Sequence, residues 1–172
     1  MLRWLWLSVL VVVLDQASKL WANGALHLHL PVEIFTGLSF TLSYNPGAAF
    51  SFLANSGGWQ RWFFITLALL VSGYIIHWLR KLNRSEISLA IALVLILGGA
   101  IGNVIDRIYL GYVVDFIDVF YLANDCLPFF GKLMGGGAVS CHWPAFNIAD
   151  SAIFLGAVIL VVDSFKGRKS ES

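Results

Sequence analysis

Residues 87–118 read ISLAIALVLILGGAIGNVIDRIYLGYVVDFID, and this stretch decides what kind of chain it belongs to. No charged residue interrupts it from Ile87 to Ile105. At ~1.5 Å per residue such a helix covers most of a hydrocarbon layer about 30 Å thick, and one more turn completes the crossing. Gly98 and Gly102 form a small-xxx-small pair, which lets a neighbouring helix approach closely. Where the apolar run ends, Asp106, Arg107, Asp115 and Asp118 follow in quick succession. An ionisable group is costly at the border of a membrane span, so each of these is a candidate for function.

The rest of the chain has the same character. Of its 172 residues, 59% are apolar and only 12% charged, and the mean hydropathy is +0.80. Soluble domains carry about twice that charge, so the composition excludes an ordinary soluble enzyme. A net charge of +1 gives no basic surface for nucleic acid.

Three more spans flank the first. Met1 to Leu14 holds Arg3 and an apolar run, which reads as a signal peptide or as a span. No small-x-small cleavage site follows it; Asp15-Gln16-Ala17-Ser18-Lys19-Leu20-Trp21 does, which favours a span over about 4–22. A second covers about 59–78, with Trp59, Trp62 and Trp78 as interfacial anchors and Arg61 snorkelling. The quoted stretch supplies the third, about 87–108, and the fourth runs over about 147–165. The expected fold is mainly α and integral to the membrane. Four transmembrane helices form a single domain over 1–172, with a small extramembrane β-rich cradle or flap on the periplasmic side.

That flap falls in the loop 23–58. Phe40, Leu42 and Tyr44 alternate with Thr41 and Ser43 as in a half-buried strand, and Asn45-Pro46-Gly47 is a turn. Ala48 to Leu53 is apolar but short. The second loop, 109–146, carries Asp115-x-x-Asp118, both cysteines, Pro128 and a Gly135-Gly136-Gly137 hinge. Arg3, the turn 79–86 with Arg80, Lys81 and Arg84, and the tail with Lys166, Arg168 and Lys169 share one side. The positive-inside rule assigns that side, with both termini, to the cytoplasm. Both long loops then face the periplasm, and a bacterial inner membrane is the expected location.

Asp115 follows span three and Asp150 opens span four, so antiparallel packing brings both to one membrane face. Two close carboxylates do not both ionise easily, and such a pair can activate a water for attack on an amide. Each acid also has a plainer reading. Asp150, three residues after Asn147, suits a capping box, and Asp115 suits a strand-edge carboxylate paired with Arg107. Asn103 and Arg107 share a face of span three, either as part of a site or as an interface anchor. Asp15 and Lys19 are four apart on span one, and a structural charge pair is the favoured reading. Asp106 and Asp118 are read as support at most. His27, His29, His77 and His142 share no metal-site spacing, so neither metal nor other cofactor is expected.

Five blocks in order resemble the lipoprotein signal peptidase family, the signal peptidase II aspartyl peptidases. They are Asp15-Gln16-Ala17-Ser18-Lys19, Asn45-Pro46-Gly47-Ala48-Ala49-Phe50, the run from Gly98 to Arg107, Val113-Val114-Asp115-Phe116, and Phe146-Asn147-Ile148-Ala149-Asp150-Ser151. The resemblance implies a membrane endopeptidase that cleaves prolipoproteins before a diacylglyceryl-modified cysteine. It places a catalytic dyad on Asp115 and Asp150, with supporting roles for Asp15, Lys19, Asn45, Asn103, Arg107 and Asn147. It also implies an extramembrane cradle and short amphipathic helix after span one, contact with membrane lipids, and inhibition by globomycin-type cyclic peptides; nothing requires more than one chain for the two acids, so a monomer is expected. The two catalytic blocks are usually closer in this family. Residues 124–143 therefore look like an insertion, and a disulfide between Cys126 and Cys141 would staple it. Two other classes compete. A presenilin-like protease needs Gly-x-Gly-Asp, which Gly111-Tyr112-Val113-Val114-Asp115 lacks. A small transporter needs mid-membrane acids and internal repeats.

Overall fold

A computed structural model describes residues 1–47, 58–123, 126–128, 130–135 and 138–169. After a short 3-10 turn at Leu2–Trp4 come α1 (Leu5–Ala25), β1 (Val32–Phe35), β2 (Leu38–Asn45) and α2 (Trp59–Lys81). They are followed by α3 (Ile87–Tyr109), β3 (Val113–Leu122), β4 (Gly131–Gly135), β5 (Ala138–His142) and α4 (Ile148–Lys169). All four α-helices are long and apolar enough to cross a membrane. The chain is thus mainly helical, with a small antiparallel sheet, as its composition and strand pattern suggest.

α3 is the central helix and packs against α1, α2 and α4. Its glycines explain how. A Cβ on Gly98 would lie 2.8 Å from Val11 Cβ and 2.9 Å from Ser8 O on α1. One on Gly99 would collide with the Ala149 carbonyl of α4 and sit 2.7 Å from Ile153 Cγ1. Gly156 of α4 answers against Ala92 and Ile96 of α3. Close backbone approach replaces hydrophobic drive where lipid surrounds the helices. Gly99→Val is therefore expected to cost about 1–3 kcal/mol through overpacking, read as a lowered Tm in detergent. Gly73→Ala on α2, where nothing lies within 4 Å of the added carbon, serves as the neutral control.

The sheet caps one end of the bundle, in the order β1-β2-β3-β5-β4, and every pair is antiparallel. Gly111, at φ 89°, adopts the left-handed conformation that turns the chain from α3 into β3. β3 is shared: Val113–Val119 pairs with β2 and Phe120–Leu122 with β5. Trp21 of α1, Phe40 and Phe116 form a three-ring cluster with centroids 5.4 to 6.2 Å apart, which seats the sheet on the helices.

Two local expectations change. The alternation Phe40, Leu42, Tyr44 is broken by a register shift between Phe40 and Ser43, so Leu42 is buried while Tyr44 is exposed and packs on Tyr112 at 4.4 Å. The stretch 109–146 holds three strands, and the expected insertion contributes the β4–β5 hairpin. Cys126 and Cys141 are disulfide-bonded. The block Ala48-Ala49-Phe50 and any amphipathic helix over 48–57 lie outside the described residues, as do Gly136 and Gly137 of the glycine hinge.

Candidate active site

Both aspartates line one cavity of about 840 Å³ at the sheet end of the bundle. β3 delivers Asp115, which is 2% exposed, and the first turn of α4 delivers Asp150. Asparagines join them. Asn147 Nδ2 donates to Asp115 Oδ1 at 2.7 Å, and Asn103 Nδ2 donates to Asp150 Oδ1 at 2.8 Å. Asn147 Nδ2 also lies 3.2 Å from Asn103 Oδ1, which closes the chain between the two carboxylates. Asn45 Nδ2 donates to the other oxygen of Asp115 at 3.2 Å, while its own Oδ1 accepts from Gly47 N at 3.0 Å. Burial first, and the Asp150 carboxylate second, push the Asp115 carboxyl from its ordinary 3.8 up to about 7.

The plainer reading of Asp150 holds as well. Its backbone N–H donates to Asn147 Oδ1 at 2.9 Å, and its Oδ2 accepts from Asn147 N at 3.3 Å. This is a reciprocal capping box, and it fixes one oxygen while leaving the carboxylate in the cavity. The proposed pairing of Asp115 with Arg107 does not form. Arg107 donates instead to the carbonyls of Asn103, at 3.3 Å, and Gly47, at 2.9 Å, and its guanidinium lies over Phe64 at 5.2 Å. Its Nε is buried with no hydrogen-bond partner among the described residues.

Beneath the cavity lies a buried ionic cluster. Lys19 Nζ has three acceptors, matching its three hydrogens: Asp15 Oδ2 at 2.8 Å, Asp106 Oδ2 at 2.9 Å and Asn103 Oδ1 at 3.0 Å. Asp15 Oδ1 accepts from Ala149 N at 2.9 Å, and Asp106 Oδ2 accepts from Val114 N at 3.0 Å. Each of these carboxylates therefore grips the amide just before one of the two cavity aspartates. Gln16 Nε2 ties Asp106 Oδ1 at 2.9 Å and the Gly102 carbonyl at 3.2 Å. Asp106 is thus a supporting residue, held beneath the cavity rather than in its lining. The signal available in sequence was its spacing of three from Asn103, on the same helix face.

Asp118 serves elsewhere. It accepts from Thr41 Oγ1 at 2.7 Å and lies 2.8 Å from His142 Nδ1, while His142 Nε2 lies 2.9 Å from Ser140 Oγ. None of these four residues lines the cavity; the chain fastens β5 and β2 to β3.

Four membrane-length helices, a capping sheet and a cavity with two bridged carboxylates at one end of the bundle fit a class, that of multi-pass membrane enzymes. Comparison with known proteins narrows it. The model of the A8 peptidases, signal peptidase II, matches residues 7–166, so the chain belongs to the signal peptidase II family. The lipoprotein signal peptidase of Pseudomonas putida KT2440 is 50% identical over 171 residues, covering 99% of this chain and 91% of that protein. Its counterpart from Aeromonas hydrophila subsp. hydrophila is 49% identical over 171 residues, covering 99% and 92%. A bacterial membrane enzyme structure obtained in meso at 2.3 Å resolution matches with a TM-score of 0.77 and 26% identity, over 96% of this chain and 88% of that one. A second, at 1.9 Å, gives a TM-score of 0.71 and 28% identity, over 92% and 90%.

Proposed function

We propose that this peptidase removes the signal peptide from diacylglyceryl-modified prolipoproteins, cutting before the lipidated cysteine with Asp115 and Asp150 as catalytic residues. The observation that carries this reading is the asparagine-bridged placement of both carboxylates in one cavity. The names of the relatives supply the substrate class.

The chemistry needs one proton on the pair. With its affinity pushed up to about 7, Asp115 keeps a proton in some of the molecules at neutral pH. In those molecules Asp115 donates to the scissile carbonyl oxygen while ionised Asp150 takes a proton from water. The water oxygen bonds to the carbonyl carbon, giving a neutral tetrahedral diol. Collapse returns a hydroxyl proton to Asp115, and Asp150 passes its proton to the amide nitrogen as the carbon–nitrogen bond breaks. The products are a carboxyl terminus and a free amino group on the cysteine. Asn103, Asn147 and Asn45 orient the carboxylates, Asp15 and Lys19 hold the backbone beneath them, and Arg107 fixes the turn after Asn45 through the Gly47 carbonyl.

The bilayer placement follows from charge. The α2–α3 turn with Arg80, Lys81 and Arg84 lies at the end of the bundle away from the sheet, so that end and both termini face the cytoplasm. The cavity then opens at the periplasmic face of the inner membrane, in contact with lipid, and one chain supplies the whole site. The test is cleavage by purified protein in detergent micelles. A diacylglyceryl peptide is expected to be cut on the amino side of its cysteine, and a globomycin-type cyclic peptide to block the cut. Equal cleavage of the unlipidated peptide, or none of either, contradicts the reading.

A further inference from the structure

The outer wall of the cavity comes from a part of the chain that the dyad does not explain. Trp143, directly after β5, lines the cavity beside Pro144 and Ala145 and is 38% exposed. Its N–H donates to Val119 O on β3 at 2.8 Å. Its ring meets Phe130 edge-on at 5.3 Å, and Phe130 meets Tyr121 of β3 at 5.1 Å. Phe130 sits in the link between Cys126 and β4, and Cys126 is bonded to Cys141, two residues before Trp143. The link is therefore tied covalently to the strand that carries the indole. His142, between Cys141 and Trp143, anchors the same strand through Asp118 and stacks on Phe120 at 5.2 Å.

The cavity has two unlike ends. Ile153, Phe154 and Ala157 line it along α4, roughly 5–10 Å deeper than Asp150 at ~1.5 Å per residue. Phe154 is 72% exposed there, on a membrane-spanning helix. Trp143 and Pro144, with Ser43 and Tyr44 of β2, line the sheet end, which the proposed placement puts outside the bilayer. A signal helix is apolar, and taking each large apolar side chain from lipid to water costs about 1.5–3 kcal/mol, so it stays at the α4 end. The chain that follows the cut bond then leaves past the sheet end. A rigid indole that is partly exposed and lines the cavity suits apolar or planar side chains at low entropic cost.

We infer that Trp143 is a specificity-determining residue that reads the side chains immediately after the lipidated cysteine, and that the disulfide-tied segment from Cys126 to Cys141 braces it through Phe130. This rests on the peptidase reading of the same cavity.

The experiment compares two lipidated peptides that differ only in glycine or leucine directly after the cysteine. Wild type is expected to prefer leucine. Trp143→Ala is expected to reduce the ratio of the two kcat/KM values by about tenfold, mainly through KM, whereas Trp143→Phe retains most of the preference. Phe130→Ala and the double variant Cys126→Ser/Cys141→Ser are expected to move the ratio in the same direction by a smaller factor. A ratio unchanged within twofold in Trp143→Ala overturns the inference, as does a wild type without preference. If Trp143→Ala does not fold, Phe130→Ala decides by the same criterion. Failure of wild type to cut either peptide overturns the peptidase reading itself, and so is distinguishable.

Discussion

Asparagine in place of Asp115 or of Asp150 is expected to lower kcat/KM on a lipidated substrate by about 10⁴-fold or more, with the protein still folded. The amide keeps the shape and most hydrogen bonds of the carboxylate but neither takes nor gives a proton, so both halves of the proton exchange stop. Single-turnover cleavage in micelles measures the loss, and either variant cutting at the wild-type rate removes the dyad from the mechanism. Stability provides a second, independent readout at Asp115. Its carboxyl is raised from 3.8 to about 7, so the folded state holds the proton more tightly than the unfolded chain does. The wild-type contribution is fully present below about pH 4 and is lost as pH rises through about 7. The amide of Asp115→Asn does not titrate. The Tm difference, Asp115→Asn minus wild type, is therefore expected to grow more positive from pH 4.5 to pH 8. A difference independent of pH would mean that the carboxyl is not held protonated by its surroundings.

The parts of this fold that could be read from the sequence are those where one residue's environment is set by near neighbours. The α3 run is apolar on nearly every face because the helix touches three others, and its glycine spacing announces close packing. β3 is different. Val113, Val114, Asp115 and Phe116 are all buried, because the strand lies between the aromatic cluster on α1 and the start of α4. Over these four residues no face is exposed, so alternation does not mark the start of the strand. The β4–β5 hairpin is glycine-rich and is tied by a disulfide that composition alone left open. Asp150 offered a capping role and a catalytic one as alternatives, and the structure shows them to be compatible, since the cap orients the carboxylate that faces the cavity. Arg107 donates to the carbonyls of Gly47 and Asn103 rather than to Asp115, because backbone acceptors of this kind leave no mark in sequence. Asp106 is a supporting residue, but its link to Lys19 leaves no local mark because that partner arrives from another helix.

That partnership sets the second large effect. Lys19→Met is expected to cost about 3–5 kcal/mol, because it leaves Asp15 and Asp106, which are 0% and 3% exposed, as charges without their shared cation. The loss should not be confined to stability. Asp15 holds the amide before Asp150 and Asp106 holds the amide before Asp115, so the ammonium links the two stretches of backbone that present these aspartates. When it is gone, repulsion between the carboxylates pulls on both amides, and the molecules that remain folded should show a lower kcat with little change in KM. A triple variant, Lys19→Met/Asp15→Asn/Asp106→Asn, separates charge from packing. It removes the buried charges together and keeps an acceptor for each amide, so it should recover most of the lost Tm, as replacement of a whole buried ion cluster often does. Recovery of kcat along with Tm would show that the cluster acts through the geometry of the dyad, because no charge would then remain beneath it. A Tm for Lys19→Met within a degree of wild type would mean that the ammonium is not what ties α1 to the start of α4 and to β3.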